Sequence, residues 1–280
     1  DNLPPKVLMR ISSEFSSLRK NLPNNWGSSI VLRGCSDNMN IFSFVIVGPE
    51  DTPYHNGVFE FHACFPSNYP EKEPKVLINT TGGGSVRFNP NLYDCGKVCL
   101  SLLGTWQGQD GESWNKQTST FLQVLISIQS LILVDEPYYN EPGWEREMHS
   151  EAGRKKAFNY NDNIRFNTLK WAIVNQYENP PPGFENFIKQ HFYLKKEEIL
   201  DITKKWIMES IKFKEEMTKL RDRFKSFFSD DLNEVDIDSD EMSIDPPLYD
   251  TIPKKDVIEK PKNYTEIELS SESDEKEDQE

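Results

Sequence analysis

The chain has 280 residues, 36% hydrophobic and 12% aromatic, enough for one or two domains with a real core, and its net charge of −14 belongs entirely to residues 229–280. There nineteen acids face five lysines, whereas residues 1–228 balance at twenty-seven of each sign; this argues against a nucleic-acid groove, and the longest apolar run, Val124–Val134, is too short and too interrupted to span a bilayer. Four cysteines are too sparse for a disulfide scaffold, so the expected setting is the reducing cytosol or nucleus, with neither nucleic acid nor membrane as a partner.

Pro4-Pro5 opens a helical pattern with Val7, Ile11, Phe15, Leu18 and Leu22 on one face, stopped at Pro23. Lys6, Arg10, Arg19 and Lys20 fall mostly off that face, as a solvated surface or a docking face. Strands are predicted at Ser29–Arg33, Ile41–Val47, Val58–Phe65 and Val76–Asn79, punctuated by Gly48-Pro49, Asn56-Gly57 and Pro66. Short turns between consecutive strands favour an antiparallel meander and an α+β fold. Residues 66–119 are rich in Pro, Gly and Asn, and so long a loop inside a domain is usually functional.

Thr118 or Ser119 then caps an apolar helix bearing Phe121, Leu122, Leu125, Ile128, Leu131 and Ile132, ended by Pro137. Asn161 or Asp162 caps a helix through Tyr177, and Pro180-Pro181-Pro182-Gly183 breaks the chain. Pro182 suits the first turn of a short helix through His191, and a longer helix starts near Lys195 with Ile199, Ile202, Trp206 and Ile211 inward. Three parts result: a core over 1–150, a helical extension over 151–228, and an acidic disordered tail over 229–280 whose Ser270, Ser271 and Ser273 sit among acids.

The candidate nucleophile is Cys99, with Asn91 eight positions upstream and a Gly turn between them. A cysteine hydrolase would need a general base within reach, and His55, His62, His149 and His191 all fall on other segments. A thiol beside an amide suits transfer of an acyl group that is already activated. Cys95 and Cys99 lack the further ligands of a metal site, and Gly82-Gly83-Gly84 lacks the Lys-Ser/Thr of a phosphate loop, which leaves it as a tight turn beside the site. Cys64, on a strand, reads as a structural thiol. No metal or cofactor is expected.

Several separated motifs together resemble the ubiquitin-conjugating enzyme family: Gly48-Pro49-Glu50-Asp51-Thr52-Pro53-Tyr54-His55-Asn56-Gly57, Tyr69-Pro70-Glu71-Lys72-Glu73-Pro74, Asn89-Pro90-Asn91 with Asn89 where the family has His, and Gly96-Lys97-Val98-Cys99-Leu100. Trp106-Gln107-Gly108, Trp114-Asn115 and Glu136-Pro137-Tyr138-Tyr139-Asn140-Glu141-Pro142-Gly143 are similar to the large members that also act as ligases. The resemblance implies a four-stranded meander packed with helices, a ubiquitin thioester on Cys99, and transfer to substrate lysines, possible ligase-like activity included. ATP would be used by the activating enzyme and not by this chain. Ubiquitin, the activating enzyme and substrate proteins are the implied partners, with ligases or the rest of a longer parent chain beside them.

The resemblance gives Asn91 either oxyanion stabilisation or support of its own loop, and it gives Glu141, before Pro142, the orientation of the acceptor lysine, with Asp135 and Glu136 as competitors. Catalytically dead members used as adaptors typically lack the cysteine, which this chain keeps. The stretch Leu103–Trp114 lengthens the passage after Cys99. It reads as an acidic flap that disfavours thiolate and favours cationic acceptors, with Trp106 and Trp114 either anchoring it or contacting ubiquitin.

Overall fold

Period-2 alternation and turn chemistry build the centre of the molecule. The computed structural model describes residues 3–35, 38–108 and 111–229. Strands β1 (Ile30–Gly34), β2 (Ile41–Val47), β3 (Val58–Cys64) and β4 (Lys75–Ile78) pair antiparallel in the order β1-β2-β3-β4, the expected meander. The turn from β2 to β3 closes where the Gly48 N–H donates to the Gly57 carbonyl at 2.8 Å. A Cβ on Gly48 would lie 1.9 Å from the Tyr54 carbonyl oxygen, so only glycine fits.

Alternate side chains of these strands feed two different cores, one on each face of the sheet. Phe44, Ile46, Phe59 and Phe61 face one way, with the cross-strand pair Phe44 and Phe61 stacked at 5.1 Å. Val31, Val45, Val47 and Val58 face the other. Both faces are therefore buried, which is unusual for an antiparallel sheet.

On the first face, α1 (Pro5–Asn21) buries Val7, Ile11 and Leu18, and with them the carboxylate of Glu14. Glu14 accepts from Arg10 Nε at 2.7 Å, from the Phe121 backbone N–H at 2.7 Å, and from the Tyr69 hydroxyl. Arg10 also donates to the Ser119 carbonyl at 2.8 Å, so this residue is an internal tie rather than part of a free basic surface. Helix α2 (Phe121–Ser127) is capped by Thr120, with Gln123 completing the capping box, one residue after the expected Ser119 and two after Thr118. It runs on into a wider π turn, Ile128–Ile132.

Helix α3 (Glu151–Asn167), which sends Ile164 into the first core and Phe166 against the second, starts at Ser150, whose Oγ accepts from the Gly153 N–H at 2.9 Å. The predicted caps Asn161 and Asp162 lie inside this helix; Ser150 wins because its hydroxyl satisfies an end donor that Asn161 would not meet. The helix continues through a π turn, Thr168–Val174, into α4 (Asn175–Glu178). Next come α5 (Glu185–Glu209), one unbroken helix across the predicted start at Lys195, and α6 (Lys214–Ser226). Ile211, expected inward, is 74% exposed, because the chain leaves the helix at Ser210. Asp162 instead accepts the Ile211 and Lys212 N–H groups, both at 3.2 Å, and so ties the α5–α6 joint to α3.

Helix α5 also grips the β2–β3 turn. Glu198 accepts from His55 at 2.8 Å, Asn56 at 2.9 Å and Lys195 at 2.6 Å. Burial would raise this carboxyl, but those three donors outweigh it and hold it down at about 2. No helix among the described residues is long and apolar enough to cross a membrane. The tail beyond Ser229, including Ser270, Ser271 and Ser273, lies outside the described residues.

Candidate active site

The site is a small loop folded back on itself. Leu92 bridges to Val98, the Tyr93 N–H donates to the Lys97 carbonyl at 3.0 Å, and Gly96 turns the chain with φ of 95°. This places Cys99 beside Asn91, and the two are joined twice. The Cys99 N–H donates to the Asn91 carbonyl at 2.9 Å, and Asn91 Nδ2 donates to the Cys99 carbonyl at 3.0 Å. In this arrangement the amide supports the Cys99 loop with one of its two N–H groups.

Asn89 is fully buried and organises everything beneath that loop. Its Oδ1 accepts from the Asn91 N–H at 2.8 Å and from Asn140 Nδ2 at 3.3 Å. Its Nδ2 donates to Tyr54 Oη at 3.2 Å and to the Ile132 carbonyl at 2.7 Å. Tyr54 donates onward to the Phe88 carbonyl at 2.7 Å, and burial pushes its phenol well above the ordinary range, so it remains a neutral donor. The π turn after α2 presents the Leu131 and Ile132 carbonyls to Asn140 and Asn89.

Cys99 itself is 4% exposed. Burial raises its thiol above the ordinary value, while Lys97, the nearby Tyr93 and the charge of Arg87 pull the other way. Burial thus favours the thiol over the thiolate. That thiolate, once formed, is the more nucleophilic for the raised value.

Glu141 follows a 3-10 turn, Pro137–Asn140, and reaches the same loop through Arg87. Arg87 Nη2 stands 3.4 Å from Glu141 Oε2 and donates to the Pro90 carbonyl, and its guanidinium lies 4.1 Å from the centre of the Tyr93 ring. The competitors point elsewhere. Asp135 lines a separate cleft of about 480 Å³ with Glu50 and Asp51, and Glu136 stands at the start of the 3-10 turn without a side-chain capping bond. Three imidazoles have other engagements: His55 with Glu198, His62 with Glu60, and His191 with the Asn56 carbonyl.

The stretch after Cys99 is pinned at both ends. Thr105 Oγ1 donates to the Val98 carbonyl at 2.6 Å and accepts from the Leu100 N–H at 3.0 Å, and Trp114 Nε1 donates to the Pro70 carbonyl at 2.9 Å. Trp114 anchors, whereas Trp106 is 40% exposed; Asp110, part of the expected acidic flap, lies outside the described residues. The three glycines 82–84 all have positive φ, and a Cβ on Gly82 would lie 2.8 Å from Trp171 Nε1, so Gly82 packs too closely against that ring for a side chain. Cys64 is buried on β3, and Cys95 is exposed at the loop tip.

Sequence reasoning did not find Arg87, Tyr93 or Tyr54. Each acts through contacts with residues distant in the chain or through a ring face, which no spacing announces. The one available signal was an arginine two residues before Asn89-Pro90-Asn91 on a segment otherwise read as loop.

A family model described as "Ubiquitin-conjugating enzyme" matches residues 10–168. A probable ubiquitin-conjugating enzyme of Acanthamoeba polyphaga mimivirus is 52% identical over 73% of this chain and 14% of its own length. The dual E2 ubiquitin-conjugating enzyme/E3 ubiquitin-protein ligase BIRC6 of Homo sapiens is 51% identical over 71% of this chain and 4% of its own. A probable ubiquitin-conjugating enzyme of Caenorhabditis elegans is 46% identical over 71% of this chain and 27% of its own. The match thus spans a minor part of each of these relatives.

Proposed function

The chain belongs to the ubiquitin-conjugating enzyme family, and from that premise we propose that it carries ubiquitin as a thioester on Cys99 and delivers it to lysine amines. The observation that carries this reading is the double tie between Cys99 and Asn91, which fixes a thiol with no imidazole assigned to it. Such a thiol attacks an acyl group already activated by another enzyme. The sulfur of Cys99 loses its proton, bonds to the carbonyl carbon of the incoming thioester, and the activating enzyme's sulfur leaves as thiolate.

In the second step a neutral lysine amine attacks the same carbon. The C–N bond forms, the C–S bond to Cys99 breaks, and the thiolate takes up a proton. Asn91 holds the loop through one N–H and offers the other to the developing oxyanion. Glu141 orients the amine and receives its proton. ATP is consumed by the activating enzyme, and the chain needs no cofactor of its own. The setting we infer is cytosolic or nuclear, where thiols stay reduced. Its likeness to a dual conjugating enzyme and ligase supports some selection of substrates by the chain itself.

The test is incubation with activating enzyme, ATP and ubiquitin, followed by a non-reducing gel. A thiol-sensitive adduct that disappears in Cys99→Ala is the expected result. Failure of the wild-type chain to form that adduct, with ubiquitin still bound, would leave an adaptor in its place. Repeating the reaction with related modifiers shows which one is accepted.

A further inference from the structure

Arg87 lies outside every helix and strand, yet it has three contacts beside the nucleophile: the face of Tyr93, the Pro90 carbonyl and the Glu141 carboxylate. Tyr93, on the same loop as Cys99, is among the groups that offset the effect of burial on its thiol. The other titratable groups facing this spot are Lys97 and the Cys95 thiol from the same loop, and the Tyr160 phenol from α3. Both Arg87 and Lys97 act on the sulfur, and Arg87 is the one that also reaches Glu141.

Stability does not account for this arrangement. A half-exposed ion pair at 3.4 Å contributes little to folding. Stacking on Tyr93 and the bond to Pro90 fix the guanidinium in place. Glu141, at the end of its 3-10 turn, is the partner free to adjust, and the contact uses only Oε2. A glutamate also carries one more rotor than an aspartate, and a fixed cation removes that extra freedom.

We propose that Arg87 is a positioning residue for the acceptor step: it holds Glu141 by one oxygen and, as a fixed cation beside the thioester, favours the neutral form of the arriving lysine over the ammonium. This rests on the reading of Cys99 as the thioester-forming nucleophile. A free lysine titrates near 10.4, so attack at neutral pH needs help in losing a proton. A like charge nearby disfavours the ammonium, as do cationic neighbours in amine-using active sites generally. As C–N forms and C–S breaks, the amine's proton passes to the free oxygen of Glu141. The departing Cys99 thiolate meets the same positive charge. At a separation of several ångströms near the surface, the effect is about half to one pH unit after screening.

The experiment preforms the ubiquitin thioester on wild type, Arg87→Gln and Arg87→Lys, stops the activating enzyme, and follows discharge to free lysine as a function of pH. Arg87→Gln is expected to need a pH about half to one unit higher for the same rate, roughly three- to tenfold slower at neutral pH. Arg87→Lys keeps the charge and the wild-type pH dependence, but its lysine KM rises, because an ammonium cannot stack flat on Tyr93 while bridging Pro90 and Glu141. The proposal is overturned if the Arg87→Gln profile superimposes on wild type, or if Arg87→Lys shifts as far as Arg87→Gln. Should Arg87→Gln not fold, raising the salt with wild type alone must move the profile upward by screening, and an unmoved profile is equally fatal. Absence of any wild-type thioester would sink the enzyme reading itself, whereas a normal thioester with unmoved profiles sinks only the role of Arg87.

Discussion

Asn89 makes four hydrogen bonds with one side-chain amide, two through each of its polar atoms. An imidazole has two ring nitrogens and can satisfy at most half of them. Asn89→His, which would restore the residue more usual in the family, is therefore expected to destabilise this chain by about 1–3 kcal/mol, because it leaves buried partners unpaired. Urea unfolding checks this, and equal or greater stability in the variant would contradict it. Cys99 and Asn91 were legible in the sequence because the motif puts both on one tight loop. The use of Asn91 was not legible, since only the folded loop reveals that its amide is engaged with the Cys99 carbonyl. Arg87 was invisible for a related reason: its partners are a ring face, a carbonyl and an acid fifty-four positions away.

At the level of elements, the strands were readable because alternating apolar residues and Gly, Pro and Asn turns leave few alternatives. The helices of the extension were less so. Asn161 and Asp162 have cap chemistry, but Ser150 precedes an uninterrupted helical run, and Asp162 serves the distant α5–α6 joint. Within α5, His191 is fully buried between Trp26 and Phe187, with Nε2 3.2 Å from the Asn56 carbonyl. Burial lowers its value from 6.5 to about 4. The unfolded chain thus takes up this proton as pH falls through about 6.5, and the folded chain does not until about 4. Stability from this group is complete above that window and is lost on acidification across it, by about 3 kcal/mol at most. In the variant His191→Phe, overall stability falls with the lost hydrogen bond, but the slope of unfolding midpoint against pH over this window should flatten. An unchanged slope would assign the acid sensitivity to other groups.

Over the whole molecule, the sheet is shared by two cores, and each strand of its centre contributes alternate residues to both. The extension is consequently structural: Phe184, Phe187, Ile188, Phe192 and Trp206 cover the valines of the second face. Each large side chain buried there contributes about 1.5–3 kcal/mol. A chain ending at Asn179 should bind hydrophobic dyes and melt more than about 10 °C lower; retention of the full-length melting temperature would show that α5 and α6 are dispensable. The turn between β2 and β3 links these layers to the chemistry. On one side its Tyr54 props Asn89 beneath the thiol loop, and on the other its His55 and Asn56 are clasped by Glu198 of α5. That turn is a bracket with a mount on each side, so the C-terminal helices and Cys99 stand on one footing, and slackening either mount changes the seat of the other.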